Sequence, residues 1–577
     1  MASHFNIVIG DRARSVYTDS VSPAHNAFAA RNVSVHTDLQ IVELRGHGCI
    51  IGHLFTRSLP SRRVAAMDTY SIEKIISTNG RSLLTDYWGG YVALLLTDDS
   101  TSTILRDPSG IMPCYWRINH RNLVFSNDIE SVACLADAPA AADLHSVAMF
   151  LASSTPPYGK TGLCGVHELM PGEALIATRD RTDITQWWSP WDFVTPEDNV
   201  DVEEYVSRVR NIVSDCVATW ASCFDSILLG VSGGLDSSIV AATAASSGSD
   251  IRCLNMFADD PEGDERHYAK ALTDSLSLPL ITGHFLTSDI NISRAPLPIS
   301  PWPNASYFMQ ATQTAHQRIN AERPVDAYFS GNGGDNVFCS IRSSAPFLDR
   351  FITEGPGNGL KATLRDLCDL TETAAPTVLK IAWRNYRQLG KPRLTKRNVL
   401  GLSADIFSEI RGDTTTHPWL NAVTDSLPGK LDHVSQIARA YQSHELYPRH
   451  QNQPHIAPLL SQPIIETCLA IPSWFWIAGG ANRAIARKAF SHLLPPTLVS
   501  RTSKGGPTGF LQSIFHENQK TITNILNGGV LAQNGVLDSD YINKQVDPTW
   551  RGHDKILRLL ELAVAETWCQ AWNKQKA

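Results

Sequence analysis

Short apolar runs broken by turn residues fill the first third of the chain, while apolar positions at helical spacing or in strand-length blocks dominate the rest. Runs such as Tyr91-Val92-Ala93-Leu94-Leu95-Leu96 and Ala174-Leu175-Ile176-Ala177 are bounded by clusters of Asp, Gly, Pro and Ser, so residues 1–195 read as mostly β. A linker rich in Trp, Pro and Asp follows, at Trp187-Trp188-Ser189-Pro190-Trp191. Val202, Tyr205, Val206, Val209, Ile212, Val213 and Val217 then recur at helical spacing and predict a helix. Blocks at 227–229, 251–257 and 280–285 predict three strands, with an acid-led helix starting at Asp264 between the second and third. Alternating strand and helix imply a doubly wound parallel sheet, whose ligands sit beyond the carboxyl ends of its strands. Residues 340–440 read as helical, and the chain closes on a helix whose stripe of Ile556, Leu557, Leu560, Ala563, Val564 and Trp568 predicts docked core.

A length of 577 residues exceeds what one core supports, and the patterning divides it into domains at 1–195 and 196–577. Composition is that of a soluble globular protein, 43% hydrophobic and 19% charged, with a net charge of -7. That mild acidity argues against a nucleic-acid partner bound through the overall field. Eleven cysteines lie singly, with no C-x-x-C pair, which reads as reduced thiols in a cytoplasmic protein. No apolar run is long enough to span a bilayer, and Met1-Ala2-Ser3-His4-Phe5 lacks a signal-peptide profile, so no membrane association is expected.

The candidate chemistry centres on Val231-Ser232-Gly233-Gly234-Leu235-Asp236-Ser237-Ser238, placed between a predicted strand and a predicted helix. Glycines at a helix N-terminus let backbone N–H groups converge on one anion, and Ser232, Ser237 and Ser238 add hydroxyl donors. Asp236 would repel a phosphate alone, and a carboxylate beside a phosphate site most simply holds Mg²⁺. The absence of a following lysine separates this turn from the G-x-x-x-x-G-K-[ST] loop. A second strand-to-turn passage, Phe329-Ser330-Gly331-Asn332-Gly333-Gly334-Asp335-Asn336, again carries an aspartate on glycines. Met256 and Phe257, at the end of the second strand, read equally as flanks for an adenine or as plain core.

The S-G-G-L-D-S-S phrase resembles the pyrophosphate loop of ATP pyrophosphatases that make AMP and pyrophosphate, the group that includes asparagine synthetase. The second turn resembles that family's S-G-x-G-x-D signature. The resemblance implies ATP and Mg²⁺, with Val231, Ser232, Gly233, Gly234, Asp236, Ser237, Ser238, Met256, Phe257, Ser330 and Gly331 at the nucleotide and Asp236 and Asp335 on the metal. Positions 332 and 336, acidic in asparagine synthetase, are Asn332 and Asn336, which speaks against asparagine synthesis. A basic supply for pyrophosphate is expected from Arg483, Arg487, Arg501 and Lys504. Lys504, in Ser500-Arg501-Thr502-Ser503-Lys504-Gly505-Gly506, matches the family lysine that in β-lactam synthetase stabilises acyl transfer, so Lys504, Arg487 and Arg501 are the expected catalytic residues. Where relatives carry a glutamate ahead of a Pro-Phe-Leu-Asp motif, Pro454 precedes Pro458-Leu459-Leu460-Ser461, and no catalytic carboxylate carries over.

Trp88-Gly89-Gly90-Tyr91, Arg106-Asp107-Pro108-Ser109-Gly110, Phe125-Ser126-Asn127-Asp128 and Leu169-Met170-Pro171-Gly172-Glu173 look like phrases of the asparagine synthetase glutaminase domain. They imply an N-terminal, Ntn-type α+β sandwich followed by the parallel-sheet ATP-pyrophosphatase domain. That glutaminase needs an N-terminal cysteine whose own amine is the base. Removal of Met1 exposes Ala2, Ser3 would serve only after unusual processing, and Cys49 beside His47 lies in an apolar run that reads as buried structure. A glutaminase-like scaffold without glutaminase activity is therefore expected. With this plan, the Pro458–Pro463 phrase and the Gly-Asn-Gly-Gly-Asp-Asn turn most resemble the lasso peptide cyclases. That resemblance implies an AMP-forming ligase in which an Asp or Glu side chain of a core peptide is adenylated and then attacked by the peptide's α-amine. It also implies a precursor peptide as substrate and a leader peptidase or leader-recognition protein as partner. A β-lactam synthetase-like or ammonia-dependent asparagine synthetase-like enzyme, and a non-catalytic scaffold of the same fold, are the competing expectations. The basic run Lys380, Arg384, Arg387, Lys391 and Arg393 reads as a solvated helix face, with a partner surface as its alternative.

Overall fold

A computed structural model describes the chain apart from residues 1–3, 11–25, 31, 98–100, 120–121, 135–138, 154, 180, 197–199, 261–262, 391–396, 414–416, 422–425, 448–452, 503–504, 546–552 and 575–577. Short, largely buried strands in the first third build two antiparallel sheets. One runs, edge to edge, through His167–Glu168, Tyr115–Asn119, Asn122–Ser126, Phe5–Ile9, Val33–Thr37 and Asn26–Ala30. The other runs through Thr182–Gln186, Glu173–Ala177, Ser102–Arg106, Tyr87–Leu96, Gly48–Thr56 and Ile41–Glu43. Ile7, Val35 and Phe125 of the first share a core with Ile51, Val92, Leu94 and Ile104 of the second, so the sheets stack face to face.

The second sheet is covered on both faces, which explains why Tyr91–Leu96 is a continuous apolar run and not an alternating one. Its other face sends Ile50, Ala93, Leu95 and Leu105 into a core shared with the C-terminal half. The helix Val202–Ala221 lies there, started by Asp201, whose carboxylate accepts from Glu204 N at 2.8 Å, with Glu203 and Glu204 in the first turn. Its Trp220 stands edge-on to Phe55 at 5.0 Å and Trp88 at 6.3 Å, all three fully buried. Each such tryptophan removes roughly 150–250 Å² from water, about 4–6 kcal/mol at ~25 cal/mol/Å².

A five-stranded sheet forms the core of the C-terminal half. Its order is Leu280–His284, Asp250–Phe257, Ser226–Gly230, Ala327–Phe329 and His455–Ile456, every neighbouring pair parallel. From the central strand the chain first builds outward on one side through Asp250–Phe257 and Leu280–His284. It then crosses back to add Ala327–Phe329 and His455–Ile456 on the other, as a doubly wound sheet does. The expected helix from Asp264 begins at Arg266 and runs to Leu276. The C-terminal helix His553–Lys574 buries Trp568 and Trp572 in a cluster with Val147, Ala148 and Leu151 of the N-terminal helix Leu144–Ser153, and Trp568 donates Nε1–H to Ser300 O at 3.0 Å. The two halves are thus joined twice. Of the basic run, Lys380 and Arg384 lie on the helix Ala375–Tyr386 and Arg387 caps its end, whereas Lys391 and Arg393 lie outside the described residues. Among the described residues no helix is long and apolar enough to cross a membrane, and none of the eleven cysteines is in a disulfide.

Candidate active site

The strands Ser226–Gly230 and Ala327–Phe329 are neighbours, paired from Ile227 with Ala327 to Leu229 with Phe329. The sheet reverses its order of growth between them, so their carboxyl ends open a crevice, and both glycine-rich turns emerge there. The helix Leu235–Ala244 starts from Gly234 without a side-chain cap, leaving its first-turn N–H groups toward that crevice. Ser237 Oγ lies 3.3 Å from Ser232 N and 3.4 Å from Ser232 Oγ, which folds the turn over the helix start. Asn255 Nδ2 donates to Val231 O at 2.7 Å and pins the strand exit.

The spacing of glycines follows from how closely the two turns touch. A Cβ on Gly331 would lie 2.4 Å from Ser237 N and 2.7 Å from Ser237 Cα, and one on Gly334 would lie 2.5 Å from Asp236 Cβ and Cγ. Only backbone fits between the turns. Gly331→Ala is therefore expected to cost about 1–3 kcal/mol, the usual range for overpacking. Denaturant midpoints check this, and an unchanged midpoint would contradict the close approach.

The close approach sets Asp236 beside Asp335. Arg483 bridges them: its Nη1 lies 2.9 and 2.8 Å from the two Asp236 carboxylate oxygens and 2.5 Å from Asp335 Oδ1. Two carboxylates converging on one cationic nitrogen are hard-oxygen donors already focused on a positive charge, which suits Mg²⁺ when phosphate oxygens and waters complete its shell. Among the described residues no cluster of three or more His, Cys, Asp or Glu could hold a metal on protein ligands alone.

The structure departs from several expectations. Ser238 is fully buried and donates to Gly234 O at 2.7 Å, so its hydroxyl braces the helix and faces away from the crevice. Arg487, expected to meet pyrophosphate, donates instead to Asn482 O, Asn482 Oδ1, Val499 O and Arg501 O, at 2.8, 2.9, 2.5 and 2.8 Å. Arg501 donates to Gly233 O at 2.8 Å, pairs with Glu265 and lies 3.9 Å over the Tyr268 ring. These two arginines are clamps that hold the 499–502 segment against the Ser232 turn, where both line the cavity. Glu265 also accepts from Gly505 N at 2.7 Å, and Lys504 itself lies outside the described residues. Met256 and Phe257 border the crevice, but Phe257 stacks on His284 at 4.7 Å with the Arg266 guanidinium 3.9 Å over its ring. Asn332 and Asn336 border it too, and Asn336 Nδ2 donates to Gln436 O at 2.9 Å.

Sequence reading passed over Glu265, Asn255 and Arg483's bridging role; a polar Asn255 inside an apolar strand was the legible signal for one of them. It also passed over the N-terminal lining of the cavity. The crevice opens into a cavity of about 1920 Å³ that the N-terminal half also lines, through Met149, Thr155, Pro156, Pro157 and Tyr158. The N-terminal phrases support that lining. Tyr158 donates its hydroxyl to Glu173 at 2.6 Å, and Glu173, its carboxyl pushed up by burial, accepts from Met170 N at 2.9 Å. Arg106 spends its donors on Gly110 O, Met112 O, Leu169 O and Glu168. Phe5 N donates to Asn127 Oδ1 at 2.8 Å, while residues 1–3, where Ala2 and Ser3 fall, lie outside the described residues. Cys49 is fully buried and its thiol is pushed up to about 12 by burial and by Glu43, so it is no nucleophile.

The asparagine synthase family profile matches residues 208–572, and that of the glutamine amidotransferase domain matches residues 59–188. Asparagine synthetase [glutamine-hydrolyzing] 3 of Bacillus subtilis (strain 168) is 25% identical over 164 residues, 28% of this chain and 26% of that protein, so the match spans about a quarter of that relative's length. Two solved structures align with low similarity. An allosteric regulatory enzyme of purine biosynthesis has 11% identity and a TM-score of 0.20 over 49% of this chain and 74% of that one. The glutamine phosphoribosylpyrophosphate amidotransferase of B. subtilis, complexed with ADP and GMP, has 10% identity and a TM-score of 0.19 over 49% and 60%.

Proposed function

The chain belongs to the asparagine synthase family, with an Ntn-type glutamine amidotransferase fold ahead of the synthase domain, and from that premise we propose that it is an ATP-dependent, AMP-forming amide ligase that closes a macrolactam within a peptide, as lasso peptide cyclases do. The observation that carries the peptide reading is the cavity of about 1920 Å³, which continues from the Ser232 turn to the Thr155–Tyr158 wall. Small-molecule pockets are commonly ~300–1,000 Å³, so ATP with a lone amino acid, the guest of a β-lactam or asparagine synthetase, would leave part of it unfilled.

In this reading the backbone N–H groups of the Ser232 turn and the uncapped helix start receive the phosphates of ATP, and Asp236 and Asp335 would hold Mg²⁺. Bound there, the metal would neutralise phosphate charge and favour departure of pyrophosphate. A side-chain carboxylate of the core peptide attacks the α-phosphorus, pyrophosphate leaves, and the acid becomes an acyl-adenylate. The peptide's own α-amine then attacks the acyl carbon, AMP leaves, and the amine loses its proton. Arg487 and Arg501 act indirectly, holding the 499–502 segment beside the phosphates. Holding amine and acyl group together in the cavity substitutes for bimolecular encounter, an advantage of up to roughly 7–11 kcal/mol when alignment is ideal. The buried Cys49 is no glutaminase nucleophile, which agrees with an amine carried by the guest. A precursor peptide and a leader-removing or leader-recognising protein are the partners this chemistry implies, in the cytoplasm.

Incubation with ATP, Mg²⁺ and candidate core peptides should give a product lighter by one water, with AMP and pyrophosphate formed in step. A β-lactam synthetase-like enzyme would instead act on a small amino acid, and a non-catalytic scaffold would give no ATP–pyrophosphate exchange above background. For Lys504→Ala, cyclised product is expected to fall by about 10²–10³-fold, the cost of one transition-state donor, while exchange persists because adenylation precedes acyl transfer. Wild-type product formation by that variant would remove the role of Lys504.

A further inference from the structure

We propose that Arg483 is the resident counter-cation of the Asp236–Asp335 pair and makes metal uptake conditional on the triphosphate, the guanidinium passing from the carboxylates to phosphate oxygens as the metal takes its place. This rests on the reading that the crevice takes Mg²⁺ and ATP. Arg483, Arg487 and Arg501 differ in what holds them. Arg487 is fixed by three backbone carbonyls and an amide oxygen, and Arg501 by a carbonyl, Glu265 and the Tyr268 ring. Releasing either would undo the loop it clamps. Arg483 is held by the same carboxylates that a metal would ligate. Its contacts there run through Nη1, and its Nε is buried without a hydrogen-bond partner. The side chain therefore keeps donors in reserve.

Electrostatics sets the order. Arg483 and Asp236 are 11% and 10% exposed, so the guanidinium and the carboxylates interact with little screening by water. A divalent ion arriving alone meets a like charge, and displacing it strands a buried guanidinium without an acceptor, which is strongly unfavourable. A triphosphate changes this, because its oxygens accept from the planar guanidinium. Arg483 also adopts a left-handed backbone conformation, φ 55°, ahead of the helix Ala484–Phe490. That geometry is strained for a residue with a Cβ, and such strain concentrates in segments that switch or clamp ligands.

Titration with Mn²⁺ in the absence of nucleotide, followed by electron paramagnetic resonance, tests the proposal on the full chain. Wild type is expected to bind weakly. Arg483→Gln should bind at least about tenfold more tightly, within the ~5–150-fold span of typical site coupling, and Arg483→Lys, which keeps the charge, should stay near wild type. Calorimetry with Mg²⁺ and α,β-methylene-ATP should show binding by wild type and weaker binding by Arg483→Gln, which has lost its phosphate contact. Mn²⁺ binding by wild type within about twofold of Arg483→Gln would overturn the proposal. Should Arg483→Gln not fold, wild type against Asp236→Asn decides. Equally weak Mn²⁺ binding supports the proposal, and tight binding by wild type that Asp236→Asn abolishes overturns it. Loss of the nucleotide reading looks different: no protein would then bind Mg²⁺ with α,β-methylene-ATP, and the proposal falls with it.

Discussion

Asp236→Asn is expected to lower ATP–pyrophosphate exchange by about 10²–10³-fold, the range for removing one preorganised charge contact in a water-poor site, while the protein stays folded. The substitution keeps the shape that Gly334 packs against, where no Cβ has room. It also keeps an oxygen within reach of Arg483, so the guanidinium is not left bare. What it removes is one of the two formal charges that converge on Arg483 Nη1. Asp335, 43% exposed, is a poor substitute for a carboxylate at 10% exposure, because water screens its charge. Exchange assays with saturating ATP and peptide, alongside thermal melts, separate the two effects. Near-wild-type exchange by a folded Asp236→Asn protein would remove the metal role assigned to that residue.

Glu466→Ala is expected to cost about 1–3 kcal/mol, the range for leaving buried hydrogen-bond donors without a partner, and to loosen the two halves of the chain. Glu466 is 7% exposed on the helix Gln462–Ala470 and accepts four donors. Arg57 supplies two at 2.6 and 3.0 Å, and Trp188 Nε1 and Gln462 Nε2 lie at 2.8 Å each. Gln462 also donates to Leu84 O at 2.9 Å. The Pro458–Pro463 phrase is thus the seam between the halves, with Leu460 also filling the space against Gly333. Truncation strands Arg57 and Trp188 at that seam. Denaturant unfolding followed by tryptophan fluorescence should shift strongly for Glu466→Ala and less for Glu466→Gln, which keeps the shape and part of the hydrogen bonding. Equal midpoints for wild type and Glu466→Ala would show that the seam contributes little.

Much of the architecture was legible from pattern alone. Short apolar runs between turn residues marked a mostly β first third, strand–helix alternation marked a doubly wound sheet, and both glycine-rich turns followed predicted strands, whereas the sandwich was implied by the family resemblance. These features are local: they depend on side-chain spacing and on the absence of a Cβ at Gly331 and Gly334, both written in the order of residues. Sequence also separated a buried Cys49 from a nucleophile, because an apolar strand leaves a thiol no route to ionisation.

What only the tertiary structure decided concerns partners distant along the chain. Arg483, Arg487 and Arg501 are indistinguishable as basic residues in one segment. Folding gives the first to two aspartates and the other two to carbonyls and Glu265. The same holds for Glu466, whose partners Arg57 and Trp188 are contributed by the other half. It holds again for the cavity, which Thr155–Tyr158 of the N-terminal half also line. A side chain's type fixes which contacts it can make, whereas the position of its neighbours fixes which it does make. Those neighbours are set by how the two cores pack, a long-range property that local spacing does not encode.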